Sequence, residues 1–145
     1  MACEEFARRY PRHPAGLVVY ADATGRRAQT GGGTSDIEIL KEFFRSGEYA
    51  EVKFKIPFGN PQVRERVALM NSRLAAADGT RGVTVGEKCP ELIKDFEQVT
   101  YKENTEVMDK ERDRRRTHLS DALGYLVWQE FHRPDGSLEQ DRRLI

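Results

Sequence analysis

The run Leu17-Val18-Val19-Tyr20-Ala21, closed by Asp22, constrains the fold of this chain more than any other feature. A short continuous apolar run bounded by turn residues predicts a strand buried on both faces, and such strands belong to sheets covered by helices. The rest of the chain keeps to an alternation of helices and strands. Ser35 and Glu38 have capping-box spacing, Ile37, Leu40, Phe43 and Phe44 share one helical face, and Gly47 is placed to end the helix. Residues 50–57 alternate, with Val52, Phe54 and Ile56 set against Glu51, Lys53 and Lys55, which predicts a half-buried strand. After the break at Gly59-Asn60-Pro61 a second helix is expected. Its inward stripe is Val63, Val67, Met70 and Leu74, and Arg64, Glu65, Arg66 and Arg73 are among its polar positions.

Further on, Asp78-Gly79 marks a turn and Gly82-Val83-Thr84-Val85 a brief strand. Pro90 suits the first turn of a helix whose apolar face is Leu92, Ile93, Phe96 and Val99. Residues 101–116 are almost wholly polar and read as a loop. Thr117 is expected to cap a last helix that turns Leu119, Leu123, Leu126 and Val127 to the core and stops at Pro134-Asp135-Gly136. Residues 23–34, with Gly31-Gly32-Gly33 among them, hold either a short hairpin or a flexible loop. The order is that of an α/β fold. The domain is expected over residues 16–133, with residues 1–15 a leader or linker end lacking periodicity and residues 134–145 a polar tail. A chain of 145 residues suits one such domain with its own core.

Charge narrows the functional classes. The 24 basic and 24 acidic side chains cancel, whereas a freestanding nucleic-acid-binding domain is usually basic. The charge is nonetheless uneven. Arg26 and Arg27 form one cluster and Arg112, Arg114, Arg115 and Arg116 another, each either a solvated cluster or a rim that contacts phosphates. No apolar run approaches the roughly 20 residues that span a bilayer, so no membrane role is expected. The N-terminal segment shows no secretory signal. Cys3 and Cys89 are isolated thiols, which points to a reducing, cytoplasmic setting.

Two acids carry the chemistry. Asp22, at the end of a buried strand, either projects into the crevice where open α/β sheets bind ligands or caps its own turn. Asp121 falls in the first turn of the last helix, where the macrodipole already favours a negative charge. His118, one turn earlier, is either an auxiliary group of the same pocket or a capping residue. If strand end and helix start meet, the two carboxylates share a divalent ion. Hard cations want several oxygen ligands, and the candidates for a third acid are Glu65, Asp36 and Asp95. Asp36 complements its own helix N-terminus and Asp95 reads as a solvated helix face, so Glu65 is preferred, with Asn60 as a neutral oxygen ligand. The triple glycine lacks the order of a phosphate-binding P-loop, and no such motif occurs elsewhere.

Four segments, Val19-Tyr20-Ala21-Asp22-Ala23-Thr24-Gly25, Gly33-Thr34-Ser35-Asp36, Asn60-Pro61-Gln62-Val63-Arg64-Glu65-Arg66-Val67 and His118-Leu119-Ser120-Asp121-Ala122-Leu123-Gly124-Tyr125, resemble the nuclease domain of the large terminase subunit of tailed bacteriophages. The resemblance runs over roughly residues 16–131, and the last segment is the most specific. It implies a ribonuclease H-like fold, a central mixed sheet flanked by helices, that cuts double-stranded DNA with two Mg²⁺ or Mn²⁺ ions during genome packaging. By position Asp22 matches the family's first-strand aspartate and Asp121 its C-terminal one. The family's further acid near the end of the fourth strand has no counterpart in Phe58-Gly59-Asn60-Pro61, and the next carboxylate is Glu65. The partners implied are an N-terminal packaging ATPase (no Walker motif occurs here), the small terminase subunit and the portal, in the cytoplasm of an infected bacterium. Two other classes stay open: a non-catalytic interaction module of a packaging motor, and another ribonuclease H-like nuclease such as a junction resolvase or a hybrid-cutting enzyme.

Overall fold

In the computed structural model, which describes residues 2–27, 32–47, 49–98 and 117–133, the apolar run is a strand, β1 (Leu17–Tyr20). It pairs in parallel with β2 (Val52–Lys55), in the register Leu17 to Val52 through Tyr20 to Lys55. Parallel strands cannot be joined by a tight hairpin and need a crossover. Here the crossover carries helix α2 (Asp36–Arg45). Among the described residues the sheet has these two strands, so the chain mixes helices with a small parallel sheet. Burial on both faces is not reached, since Val18 is 46% exposed. β2 alternates half-buried and exposed residues as its period-2 pattern requires.

The chain divides into two compact units, Met1–Asn60 and Pro61–Ile145. In the first, α2 starts on the expected capping box. The Ser35 side chain accepts the Glu38 N–H, and the Glu38 carboxylate accepts the Ser35 N–H and hydroxyl, both at 2.9 Å. The helix buries Ile37 and Phe44. Residues 1–15, expected to lack periodicity, contain a helix, α1 (Ala2–Arg9), with acids in its first turn and arginines in its last. That order suits the helix dipole. Phe6 anchors α1 by an edge-on contact with Phe44, ring centres 5.9 Å apart, and Tyr49 joins the cluster 5.6 Å from Phe44. A single large apolar side chain per two turns is too sparse a signal to mark such a helix.

The second unit packs α3 (Val63–Leu74), α4 (Pro90–Gln98) and α5 (His118–Phe131) around Met70, Val127 and Phe131. Leu69, Leu74, Val83, Phe96, Leu123 and Leu126 close in around that core. Three expectations change. The inward stripe of α3 is rotated: Arg66 is 4% exposed, whereas Val63 is 42% exposed. Leu119, expected in the core, is 48% exposed. Residues 82–85 form no strand, because the N–H groups of Gly82 and Val83 both donate to the Arg73 carbonyl, at 2.8 and 2.9 Å. The last turn of a helix leaves such carbonyls without an intrahelical partner, and a passing segment can satisfy them. Among the described residues, no helix is long and apolar enough to cross a membrane. Gly31, Val99, the loop 101–116 and the tail 134–145 lie outside the described residues.

Candidate functional site

Asp22 sits where β1 ends. The strand's last ladder bond runs from Ala21 N–H to the Lys55 carbonyl, and the chain then turns into one 3-10 turn, Ala23–Arg26, with Asp22 as its cap. The carboxylate is used on one side. Oδ1 accepts Thr24 N–H at 2.6 Å, Gly25 N–H at 3.3 Å and the Thr24 hydroxyl. Among the described residues, those three bonds leave Oδ2 as the oxygen with lone pairs to offer. Capping and ligand binding are therefore compatible at this residue.

The loop after β2 is tied to the same turn. Asn60 Oδ1 accepts Ala23 N–H at 2.7 Å, which brings a second side-chain oxygen to the residue beside Asp22. Arg26 donates to the Ile56 carbonyl at 2.7 Å and to the Pro57 carbonyl. Its guanidinium thus braces the ends of β1 and β2, while Arg27, the cap residue of the turn, is exposed. Beside this bracing lies a cleft of about 320 Å³ lined by Arg26, Ser35, Glu38, Lys41, Phe54 and Ile56.

Asp121 is built by the second unit. Arg66 reaches it from α3 with two prongs: Nη2 donates to Asp121 Oδ1 at 2.7 Å and Nη1 to the Asp121 carbonyl at 3.2 Å. The arginine side chain is 5% exposed and that of Asp121 21%. The guanidinium carbon lies 4.5 Å from the centre of the Tyr125 ring, a cation–π contact. Space for it exists because residue 124 is glycine; a Cβ there would stand 2.6 Å from Arg66 Nη1.

The start of α5 is held from a neighbouring helix. Thr117 precedes it with φ +88°, a left-handed conformation rather than the extended one a capping residue adopts, and its side chain makes no cap bond. Asp95 of α4 takes over that function. It is 1% exposed, and its Oδ2 accepts the N–H groups of Leu119 and Ser120, each at 3.1 Å. Asp95, expected on a solvated face, is thus a buried cap.

The other expected site residues are less engaged. Glu65 is exposed in the first turn of α3. Neighbouring helical residues project about 100° apart, so the turn that sends Arg66 to Asp121 sends Glu65 elsewhere. His118 is exposed at the head of α5. Arg114, Arg115 and Arg116 lie outside the described residues. Within either unit, no three His, Cys, Asp or Glu side chains among the described residues gather into a metal-holding group. Arg66 and Gly124 were not singled out by sequence, and Asp95 was weighed as a third acid and set aside as a solvated face. Gly124 carried the one available signal, since a helix-interior glycine costs about 1 kcal/mol against alanine and usually has a packing reason.

A model of the terminase RNaseH-like domain family matches residues 5–130. No curated protein and no solved structure matches.

Proposed function

The chain belongs to the terminase RNaseH-like domain family, and from that premise we propose that it is a metal-dependent endonuclease that cuts double-stranded DNA as a viral genome is packaged. The observation that carries this is the family match over residues 5–130, together with Asp22 at the end of β1 and Asp121 in the first turn of α5. β1 and β2 are then the beginning of the central mixed sheet that a ribonuclease H-like fold needs.

Asp22 and Asp121 are the acids that would ligate metal, with Asn60 as a neutral oxygen ligand and His118 as an auxiliary group, while Glu65, the expected third acid, is directed away from Asp121 on α3 and would not join it. This donor set is all oxygen apart from the histidine, the preference of Mg²⁺ and Mn²⁺. Two such ions would activate the attacking water and stabilise the leaving alkoxide. The chain's own contribution is placement. Asp22 is oriented by the turn it caps, and Asp121 by Arg66 and by a helix start that Asp95 secures. Arg27 and the cluster Arg114, Arg115 and Arg116 would meet the DNA backbone, while Arg26 supports the strand ends and adds positive charge. The partners expected are an N-terminal packaging ATPase, the small terminase subunit and the portal, in the host cytoplasm.

Plasmid cleavage with Mg²⁺ or Mn²⁺ tests this. The wild-type chain is expected to nick or linearise DNA, and Asp22→Asn and Asp121→Asn, each shown to be folded, are expected to abolish it. Undiminished cutting by either variant would sink the assignment. A second reading, an interaction module of the packaging motor, draws support from the balanced charge and from the ion pair that gives Asp121 a structural task. It predicts no cleavage of duplex, four-way junction or RNA–DNA hybrid. Cleavage of only the last two substrates would favour a resolvase or a hybrid-cutting enzyme.

A further inference from the structure

Resting on the metal reading of Asp121, we propose that Arg66 is a positioning residue: it fixes the Asp121 carboxylate for a divalent cation, and residue 124 is glycine in order to seat it.

The geometry is more specific than packing requires. A buried ion pair is a weak device for stability, and apolar residues of similar volume usually serve as well or better. α3 nonetheless places a guanidinium on its buried stripe, one turn before Met70 of the core. Both hydrogen bonds of that guanidinium go to one residue, one to its carboxylate and one to its main-chain carbonyl. Holding a side chain and its own backbone from the same planar fork fixes the rotamer of that side chain, which a point charge such as lysine cannot do as well. Arg66 Nε is buried without a hydrogen-bond partner among the described residues, and the two bonds its guanidinium does make both go to Asp121. Tyr125 flanks the fork and Gly124 leaves room for it, both from the same helix as Asp121. A carboxylate has about four lone-pair sites, so the bond to Oδ1 is compatible with a metal. Partners that orient a ligating carboxylate in this way typically change metal affinity 10- to 100-fold when removed.

The test is Mn²⁺ binding to the full chain, followed by the loss of the free-ion electron paramagnetic resonance signal, with circular dichroism as the check on folding. Arg66→Gln is expected to weaken Mn²⁺ binding by roughly 10- to 100-fold, and Arg66→Lys to recover part of that by remaking one bond to Oδ1. Gly124→Ala should weaken it as well, because the new methyl group displaces the guanidinium without removing it. Arg66→Gln that is folded and binds Mn²⁺ like wild type overturns the proposal. If Arg66→Gln does not fold, Gly124→Ala decides by the same criterion, its closest clash falling on the far end of the Arg66 side chain and not on backbone. Asp121→Asn separates the two layers. If it binds Mn²⁺ like wild type, or if wild type binds none, the metal reading fails and this proposal with it. If Asp121→Asn loses binding while Arg66→Gln and Gly124→Ala keep it, only the positioning role fails.

Discussion

Asp95 on α4 and Ser120 at the head of α5 are joined by a hydrogen bond from the Ser120 N–H to Asp95 Oδ2 at 3.1 Å, and Leu119 shares the same acceptor. A helix start that its own preceding residue leaves uncapped is thus closed by a buried acid from another helix. Asp95→Ala should lower the stability of the chain by about 1–3 kcal/mol, the cost of leaving buried donors unsatisfied. Asp95→Asn should lose less, because its amide oxygen still accepts. Urea unfolding followed by the fluorescence of Trp128, the one tryptophan, measures both. A loss under about 0.5 kcal/mol for the alanine variant, the range of ordinary surface substitutions, would contradict the capping role.

At Asp22 the cap and the proposed ligand can be separated by chemistry. Asparagine caps turns and helix starts about as well as aspartate, so Asp22→Asn should keep the bonds from Thr24 and Gly25 and leave stability nearly unchanged. Asp22→Ala should lose about 1 kcal/mol. If both variants lose cleavage and only the alanine variant loses stability, the carboxylate charge matters for the reaction beyond its place in the turn. Equal cleavage by wild type and Asp22→Asn would leave Asp22 as a cap alone.

The local patterns of the first unit were legible because each is made by neighbours in sequence. Ser35 and Glu38 meet within one turn, and the alternation of Val52 and Phe54 with Lys53 and Lys55 is visible in the string itself. Asp22 was legible for the same reason, as an acid at the end of an apolar run. Arg66 and Asp95 were not, since an arginine or an aspartate at a helical position reads as surface until its partner is known. Those partners lie in α5, 55 residues away for Arg66 and 25 for Asp95 with Ser120. The Val83 segment misled for a related reason: its β-branched residues suit a strand, but its backbone donors were taken by the end of α3.

Acid should weaken the start of α2 through Glu38. Hydrogen bonds from the Ser35 N–H and hydroxyl hold the Glu38 carboxyl below its ordinary value of 4.5. A group with a lowered folded pKa adds stability above its unfolded value and loses it as pH falls through the folded one. The contribution of the capping box should therefore be complete above about pH 5 and fade below pH 4.5. Glu38→Gln keeps an acceptor at the same position but does not titrate there, so its stability should fall less over that range. Parallel unfolding curves at pH 6 and pH 4 compare the two. Identical pH dependence in both chains would show that Glu38 does not couple to folding.

Breaking the pair between Arg66 and Asp121 from one side should be far worse than removing it from both. Asp121→Ala would strand a guanidinium that is 5% exposed, and uncompensated buried charges typically cost about 3–5 kcal/mol. The lower end is expected, because the Asp121 side chain keeps 21% of its surface in water. Asp121→Ala combined with Arg66→Met should recover much of that loss, since an apolar pair of similar volume is often close to neutral. Asp121→Asn should be the mildest, its Oδ1 still accepting from Nη2. Loss of cleavage in Asp121→Ala therefore confounds chemistry with folding, and Asp121→Asn is the variant that isolates the carboxylate charge. A double-mutant cycle by chemical denaturation checks the coupling, and additive losses at the two positions would mean that the ion pair contributes nothing to the native state.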